Sequence, residues 1–582
     1  MPRLCLLSLL CFAAFAVADP PADFERLVNA FEAHELAHDP FRAGRRGDLE
    51  AAARWPDSRP EALDRKLAAE QDFRRQLLDI DVAALGESEQ VSHLVMVHLL
   101  DSRLAAAAFQ PQRISFTNDS GFFSVPVQVA QSTRARSVAQ AEAWISRLEA
   151  IESYFAAQTD WLAQGVETGF VQPKLVVERV IEQIEEVIAI DPDEHPLMAP
   201  MQQLPEHIEE DERARLRRAA RSALIESAIP AYRRLLRFLQ EEYLAEPRAS
   251  IGISEVPGGR DYYRWLVRHH TTLDTTPDEV HQQGLSEVER IRSEMDKVIE
   301  ATGFDGSFAD FLHFLRTDPQ FYAQSERELL MIAAWIAKRA DDAMPRFFGH
   351  LPRLPYGVRA VPGAIAPNYT TGRYWSGDLE SGIAGGYMVN TYRLDQRPLY
   401  ELPALTLHEA VPGHHHQIAI AQELENVPEF RRNTYITAFG EGWALYTEWL
   451  GVEMDIYETP YEHFGRLTYE MWRACRLVVD TGIHYFGWSQ QQAEVCLLEN
   501  SALAPHNVRT EVERYISWPG QALAYKTGEL LIRELRAEAE AALGADFDIR
   551  DFHDYLLAVG AIPLDALADR MRNWITKNRP KP

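Results

Sequence analysis

His408-Glu409-Ala410-Val411-Pro412-Gly413-His414-His415-His416-Gln417 puts a histidine–glutamate pair and a run of three histidines within ten residues. Imidazole nitrogens and carboxylate oxygens are the groups that hold first-row divalent cations. From His408 the next histidines lie six, seven and eight residues on. A helix turns 3.6 residues per revolution, so a six-residue step leaves His414 about 120° off the His408 face. Pro412 changes that. Its ring collides with the carbonyl four residues back, which belongs to His408, and it has no N–H to donate there. Gly413 then admits backbone angles that other residues avoid. A kink or bulge is therefore expected between His408 and His414, swinging the second imidazole back to the first. A seven-residue step returns His415 to the same face with no kink. His414 is the preferred second ligand; His415 is its rival, or else a supporting group beside the ligands.

The spacing approaches the His-Glu-x-x-His pattern of zinc hydrolases, in which two histidines bind the metal and the intervening glutamate is the general base. Glu409 holds the base position. A second segment strengthens the reading: Gly440-Glu441-Gly442-Trp443-Ala444-Leu445-Tyr446-Thr447-Glu448. Glu441 follows His414 by 27 residues, room for a loop and the start of another helix. Glu441 and Glu448 are seven apart and share one helical face. One can bind metal while the other orients a histidine from behind. Both sit among Trp443, Ala444, Leu445, Tyr446, Trp449 and Leu450, so burial with a partner is expected.

Glu441-Gly442-x-Ala444-x-Tyr446-x-Glu448 is similar to the zinc-ligand helix of gluzincin aminopeptidases, where the first glutamate is the ligand. His-Glu-x-x-Pro-Gly-His together with Glu-Gly-Trp-Ala-x-Tyr-x-Glu resembles the bacterial "domain of unknown function 885" family, grouped with the zincin-like peptidases. The resemblance covers nearly the whole chain after its leader. It implies a mainly α, zincin-like peptidase fold with one Zn2+ held by His408, His414 and Glu441, and Glu448 behind them.

The chain has 582 residues, 46% of them hydrophobic, and a formal charge of −28. Such acidity argues against nucleic acid as a partner. Residues 1–18 read as a signal peptide: Arg3, an apolar stretch from Leu4 to Phe15, and a small-x-small site at Ala16-Val17-Ala18. The mature chain is then expected to begin near Asp19, in the periplasm or outside the cell, with no membrane contact after cleavage. Cys11 follows Leu10 rather than a small residue, which weakens a lipoprotein reading. Cys475 and Cys496 remain, free to bridge or to stay buried thiols.

Residues 19–250 are expected to form a helical scaffold lobe and 251–582 a catalytic lobe, with a cleft between them, the two making one continuous family domain. Apolar residues at three- and four-residue spacing predict helices over Phe24–Leu36, Ser137–Leu162, Lys174–Ile190 and Glu210–Leu244, the last bent or split at Pro230. Pro257-Gly258-Gly259 marks a turn between lobes. Thr276-Pro277-Asp278-Glu279 announces a helix by its capping pattern; His281 on it reads as a packed histidine. Residues 349–383 are irregular. Gly386 to Thr391 has strand composition, and an exposed strand there would hold a peptide extended, with Tyr387 and Asn390 as substrate contacts. Downstream, Tyr515 and Tyr525 are the candidates for a phenol that stabilises an oxyanion. Arg514-Tyr515 is similar to the Arg-Tyr pair of angiotensin-converting-enzyme type peptidases. Arg514, Lys526 and Arg536 are candidate clamps for a substrate carboxylate.

These readings lead to an expectation of a zinc-dependent peptidase acting on short peptides. The alternatives are an inactive peptide-binding relative and a zinc hydrolase of other amides or esters. Exopeptidase or endopeptidase action, residue preference and oligomeric state are not legible.

Overall fold

Burying one stripe of an amphipathic helix requires another helix to cover it, and here helix covers helix almost throughout. The computed structural model describes residues 19–245, 247–363, 365–379 and 382–580; the leader reading at 1–18 lies outside them. The first half holds helices over Pro20–His38, Pro60–Leu78, Glu87–Ala107, Val138–Glu149, Ile151–Thr168, Lys174–Ala189 and Glu210–Ala223, among shorter pieces. The stretch expected as one helix from Ser137 is two, separated at Ala150. At Pro230 the helix neither splits nor ends. A π-turn over Leu224–Ala228 precedes the helix Ile229–Phe238, so the proline falls at the start of a new register where its missing N–H costs little. Leu216, Ala220, Leu224, Leu235 and Leu239 are buried as the stripe requires.

The second half is built on two long helices. Pro277–Thr302 opens with the capping box of Thr276 and Glu279, and His281 Nδ1 pairs with Thr481 Oγ1 at 2.7 Å. Pro460–His484 packs along it and is buried from Phe464 to His484. Leu402–Glu409, Thr437–Leu450, Pro505–Ser517 and Ala524–Leu543 gather around it, His414–Gln422 packs on Thr437–Leu450, and Ile549–Leu557 and Leu564–Asn578 follow. One apolar cluster runs through the molecule, from Phe24 and Phe31 to Met571 and Ile575. Cys475 and Cys496 are free thiols, the first buried.

Three short strands complete the fold: β1 (Tyr356–Ala360), β2 (Gly372–Trp375) and β3 (Gly385–Val389), in the order β1-β3-β2. β3 is parallel to β1, Val358 opposite Tyr387, and antiparallel to β2, Tyr374 opposite Tyr387. This corrects the expectation at Gly386 to Thr391. That segment is the paired, buried centre of the sheet, so it offers no backbone to a ligand. The edge strands are β1 and β2, and the residues of β2 alternate buried and exposed.

Among the described residues, no helix is long and apolar enough to cross a membrane.

Candidate metal centre

The helix carrying His408 ends at Glu409, and the one carrying His414 starts after four intervening residues. The chain therefore breaks rather than kinks. The turn folds back tightly: Gly413 N–H donates to Leu407 O at 3.0 Å and His415 N–H to Ala410 O at 3.2 Å. A Cβ at Gly413 would stand 2.0 Å from His408 O, so only glycine fits. Trp443 Nε1 donates to Pro412 O at 2.8 Å, fastening the turn to the Thr437–Leu450 helix. That helix crosses Ala524–Leu543 at Gly442 and Gly528, where a Cβ on Gly442 would lie 2.5 Å from Gly528 Cα.

The break sets the His408 and His414 rings 4.8 Å apart and perpendicular. Glu441 Oε2 lies 3.4 Å from His408 Nε2 and 3.3 Å from His414 Nε2. One donor atom from each of the three falls within 4.8 Å of the others. Glu441 Oε2 is enclosed and has no hydrogen bond of good geometry. Glu448, one helical repeat on, accepts from His408 Nδ1 at 2.8 Å and is itself met by Arg473 Nη2 at 3.4 Å. Burial works against a charge on His408, but Glu441 and Glu448 outweigh it and raise its pKa to about 9. Burial likewise opposes ionisation of Glu441, yet the two histidines hold its carboxyl well below the usual range. Two imidazoles and a carboxylate this close are stable only around a shared cation or proton.

Glu409 is buried at the end of its helix, and its Oε2 accepts the backbone N–H of Tyr374 in β2 at 2.7 Å. Tyr525 places its ring 6.5 Å from the His408 ring, nearly parallel to it. The sequence reading missed Tyr435, 46% exposed, whose hydroxyl donates to Glu441 Oε1 at 3.3 Å. Gly440 makes room for its ring, but a tyrosine six residues before a glutamate is no signal in a sequence.

Several expected positions lie elsewhere. His415 turns to the sheet, where its Nδ1 meets Tyr374 Oη at 3.1 Å, and burial pulls its pKa down to about 4; it is outside the trio. Tyr515 is fully buried, and its hydroxyl accepts from Trp472 Nε1 at 2.8 Å and Arg476 Nε at 2.9 Å, so its oxygen is already engaged. Lys526 has no exposed side chain and is held by Glu287, Glu470 and Glu529 at 2.8–3.0 Å; it cannot clamp a substrate. Arg536 is tied to Glu453 and Glu540. Tyr387 is buried with its hydroxyl 3.2 Å from Thr406 Oγ1. Asn390 is buried and donates to the carbonyls of Ala366, Tyr369 and Thr370, pinning that loop. Neither Tyr387 nor Asn390 offers a side chain to a ligand. Arg514 stays partly exposed, with Glu511 and Gln521 as partners.

A model of the family "Bacterial protein of unknown function (DUF885)" matches residues 40–571. No curated protein matches. Among solved structures, a "putative lipoprotein" from Colwellia psychrerythraea is 26% identical with a TM-score of 0.87, over 95% of this chain and 99% of that one. Another so described, from Shewanella oneidensis, is 18% identical with a TM-score of 0.74, over 96% of this chain and 100% of that one, a likeness of fold.

Proposed function

This chain belongs to the DUF885 family, and we propose that it is an exported zinc-dependent peptidase of zincin-like type that hydrolyses short peptides in a cleft beside the His408 helix. The observation that carries the reading is the spacing of the trio. Zinc bonds to nitrogen and oxygen of about 2.0–2.1 Å, arranged as a tetrahedron, put neighbouring donors about 3.3–3.4 Å apart. Glu441 Oε2 stands at 3.3 and 3.4 Å from the two imidazole nitrogens. The unsatisfied, buried Glu441 Oε2 is the further mark of a site made for a cation.

His408, His414 and Glu441 are the ligands in this reading, and Glu448 fixes His408 so that Nε2 faces the metal. Zinc bound there supplies Lewis acidity, lowering the pKa of water and polarising a carbonyl. Glu409, aimed by the Tyr374 N–H, takes the proton from the attacking water and passes it to the leaving amine. Tyr525 and Tyr435, on the His408 and Glu441 sides, are the phenols within range of the oxyanion. Export is the part of the proposal that rests on reading residues 1–18 as a leader, which would put the mature chain in the periplasm or outside the cell.

Metal analysis of gently purified protein is expected to find about one zinc per chain. Glu409→Gln is expected to keep the zinc and lower turnover on a peptide library by about 10²- to 10⁴-fold, because an amide cannot accept the proton. Metal-free protein, or a Glu409→Gln variant at full turnover, would remove the proposal.

A further inference from the structure

Beside the metal centre lies a group of charges that this chemistry leaves unused. Arg476 Nη2 and Arg514 Nη2 share one carboxylate oxygen, Glu511 Oε2, at 3.2 and 3.0 Å. Arg514 Nη1 donates to Gln521 Oε1 at 2.7 Å. Arg476, only 3% exposed, gives its Nε to Tyr515 and has a buried Nη1 with no partner. Two guanidiniums on one carboxylate leave a positive charge unbalanced. A third guanidinium adds to it. The guanidinium of Arg373, on the exposed face of β2, makes no hydrogen bond and no ion pair with any described residue; its Cζ rests 5.4 Å from the centre of the Tyr369 ring.

The charges of all three are felt at Tyr525. Arg476 Cζ sits 4.2 Å from the centre of that ring, and Arg373 and Arg514 both lie within its electrostatic reach and each other's. Arg373 also neighbours Glu409, and the next residue of its strand supplies the N–H that holds that carboxylate. Because the Tyr525 ring is 6.5 Å from His408, Arg476 Cζ is within about 11 Å of the His408 ring, the reach of about three extended residues. In a chain of net charge −28, uncompensated cations at this one place favour an anion there.

We propose that Arg373, with Arg514 held beside it by Glu511 and Gln521, binds the free α-carboxylate of a peptide, so that cleavage removes one to three residues from the C terminus. The proposal rests on the peptidase reading above and narrows it to a carboxyl-end exopeptidase. Water adds across the amide, the new carboxylate stays with the N-terminal part, and the released fragment carries the clamped carboxylate and the new amine. A planar guanidinium with all its N–H groups unspent matches a carboxylate in two-point geometry.

The test uses the full mature chain loaded with zinc, in the Glu409→Gln form, and a matched pair of short peptides, one a free acid and one a C-terminal amide. Calorimetry is expected to show the acid binding at least about tenfold more tightly, the scale of a hydrogen bond to a charged group. Arg373→Gln is expected to bring the ratio of the two affinities close to one, and Arg373→Lys to restore part of it. Native chain incubated with a peptide library is expected to yield products shortened from the C terminus, with amidated members spared. Equal binding of acid and amide, or equal cleavage of both, overturns the clamp and leaves the peptidase standing. No binding and no cleavage of either peptide overturns both. The native-chain experiment decides the matter should the variants fail to fold.

Discussion

Two clusters of buried charge lie on neighbouring helices and have opposite character. Around Lys526, four cations (Lys526, Arg290, Arg466 and Arg533) face four carboxylates (Glu287, Glu294, Glu470 and Glu529), and every one of these charges has an opposite partner within 4 Å. Around His408, the atoms that point inward, His408 Nε2, His414 Nε2 and Glu441 Oε2, face one another instead. Burying charge is tolerable only when it is paired. The first cluster satisfies that rule from within the chain and is structural. The second leaves three donor atoms turned on one another, the arrangement that the proposed cation, or a shared proton in its place, would satisfy, and that difference separates a structural knot from a candidate site.

The comparison can be broken most sharply at Lys526. Lys526→Met leaves four carboxylates facing three guanidiniums, one buried negative charge in excess, and is expected to cost about 3–5 kcal/mol in urea unfolding, with zinc content unchanged in the folded fraction; a cost under about 1 kcal/mol would show that the knot is not a closed charge balance. A smaller effect separates the two tyrosines. Tyr525→Phe is expected to lower kcat by about 10²-fold if its hydroxyl meets the oxyanion, whereas Tyr515→Phe removes only an internal acceptor and is expected to leave kcat within about threefold while costing about 1 kcal/mol of stability; the reverse pattern would return the role to Tyr515. The smallest effect is in pH. The folded pKa of His408, about 9, lies above its unfolded value of about 6.5. Between these limits the folded chain binds a proton that the unfolded chain does not, so its stabilisation is full below pH 6.5 and is lost as pH rises through 9. For chelated protein the loss from this group is at most about 1.4 kcal/mol per pH unit. Urea unfolding at pH 7 and 8 is expected to show that slope without metal and to lose it in His408→Ala; an unchanged slope in the variant would assign it to other groups.

The helical character of the chain followed from spacing alone, because an apolar stripe every three or four residues has few other uses. The capping box at Thr276 and the packed His281 needed no more than local pattern. What misled was pairing at a distance. Gly386 to Thr391 has the composition of a strand, but whether a strand is central or at an edge depends on what lies beside it, and β1 and β2 come from elsewhere in the chain. Lys526 and Tyr515 were plausible as letters beside a site; only the helices packed against them reveal that their polar atoms are already spent.

The candidate centre shows the same division. The sequence by itself determined the chemistry on offer: two imidazoles near a carboxylate, a proline and a glycine that forbid a straight helix between them, and two glutamates one helical repeat apart. These are local facts of covalent geometry and helical period. Tertiary structure alone decided which atoms meet: His414 rather than His415, Glu448 behind His408, Tyr374 behind Glu409, and Arg373 with nothing to hold. Those outcomes depend on how a broken helix, a sheet and three other helices pack together, and packing is set by contacts between residues far apart in the chain.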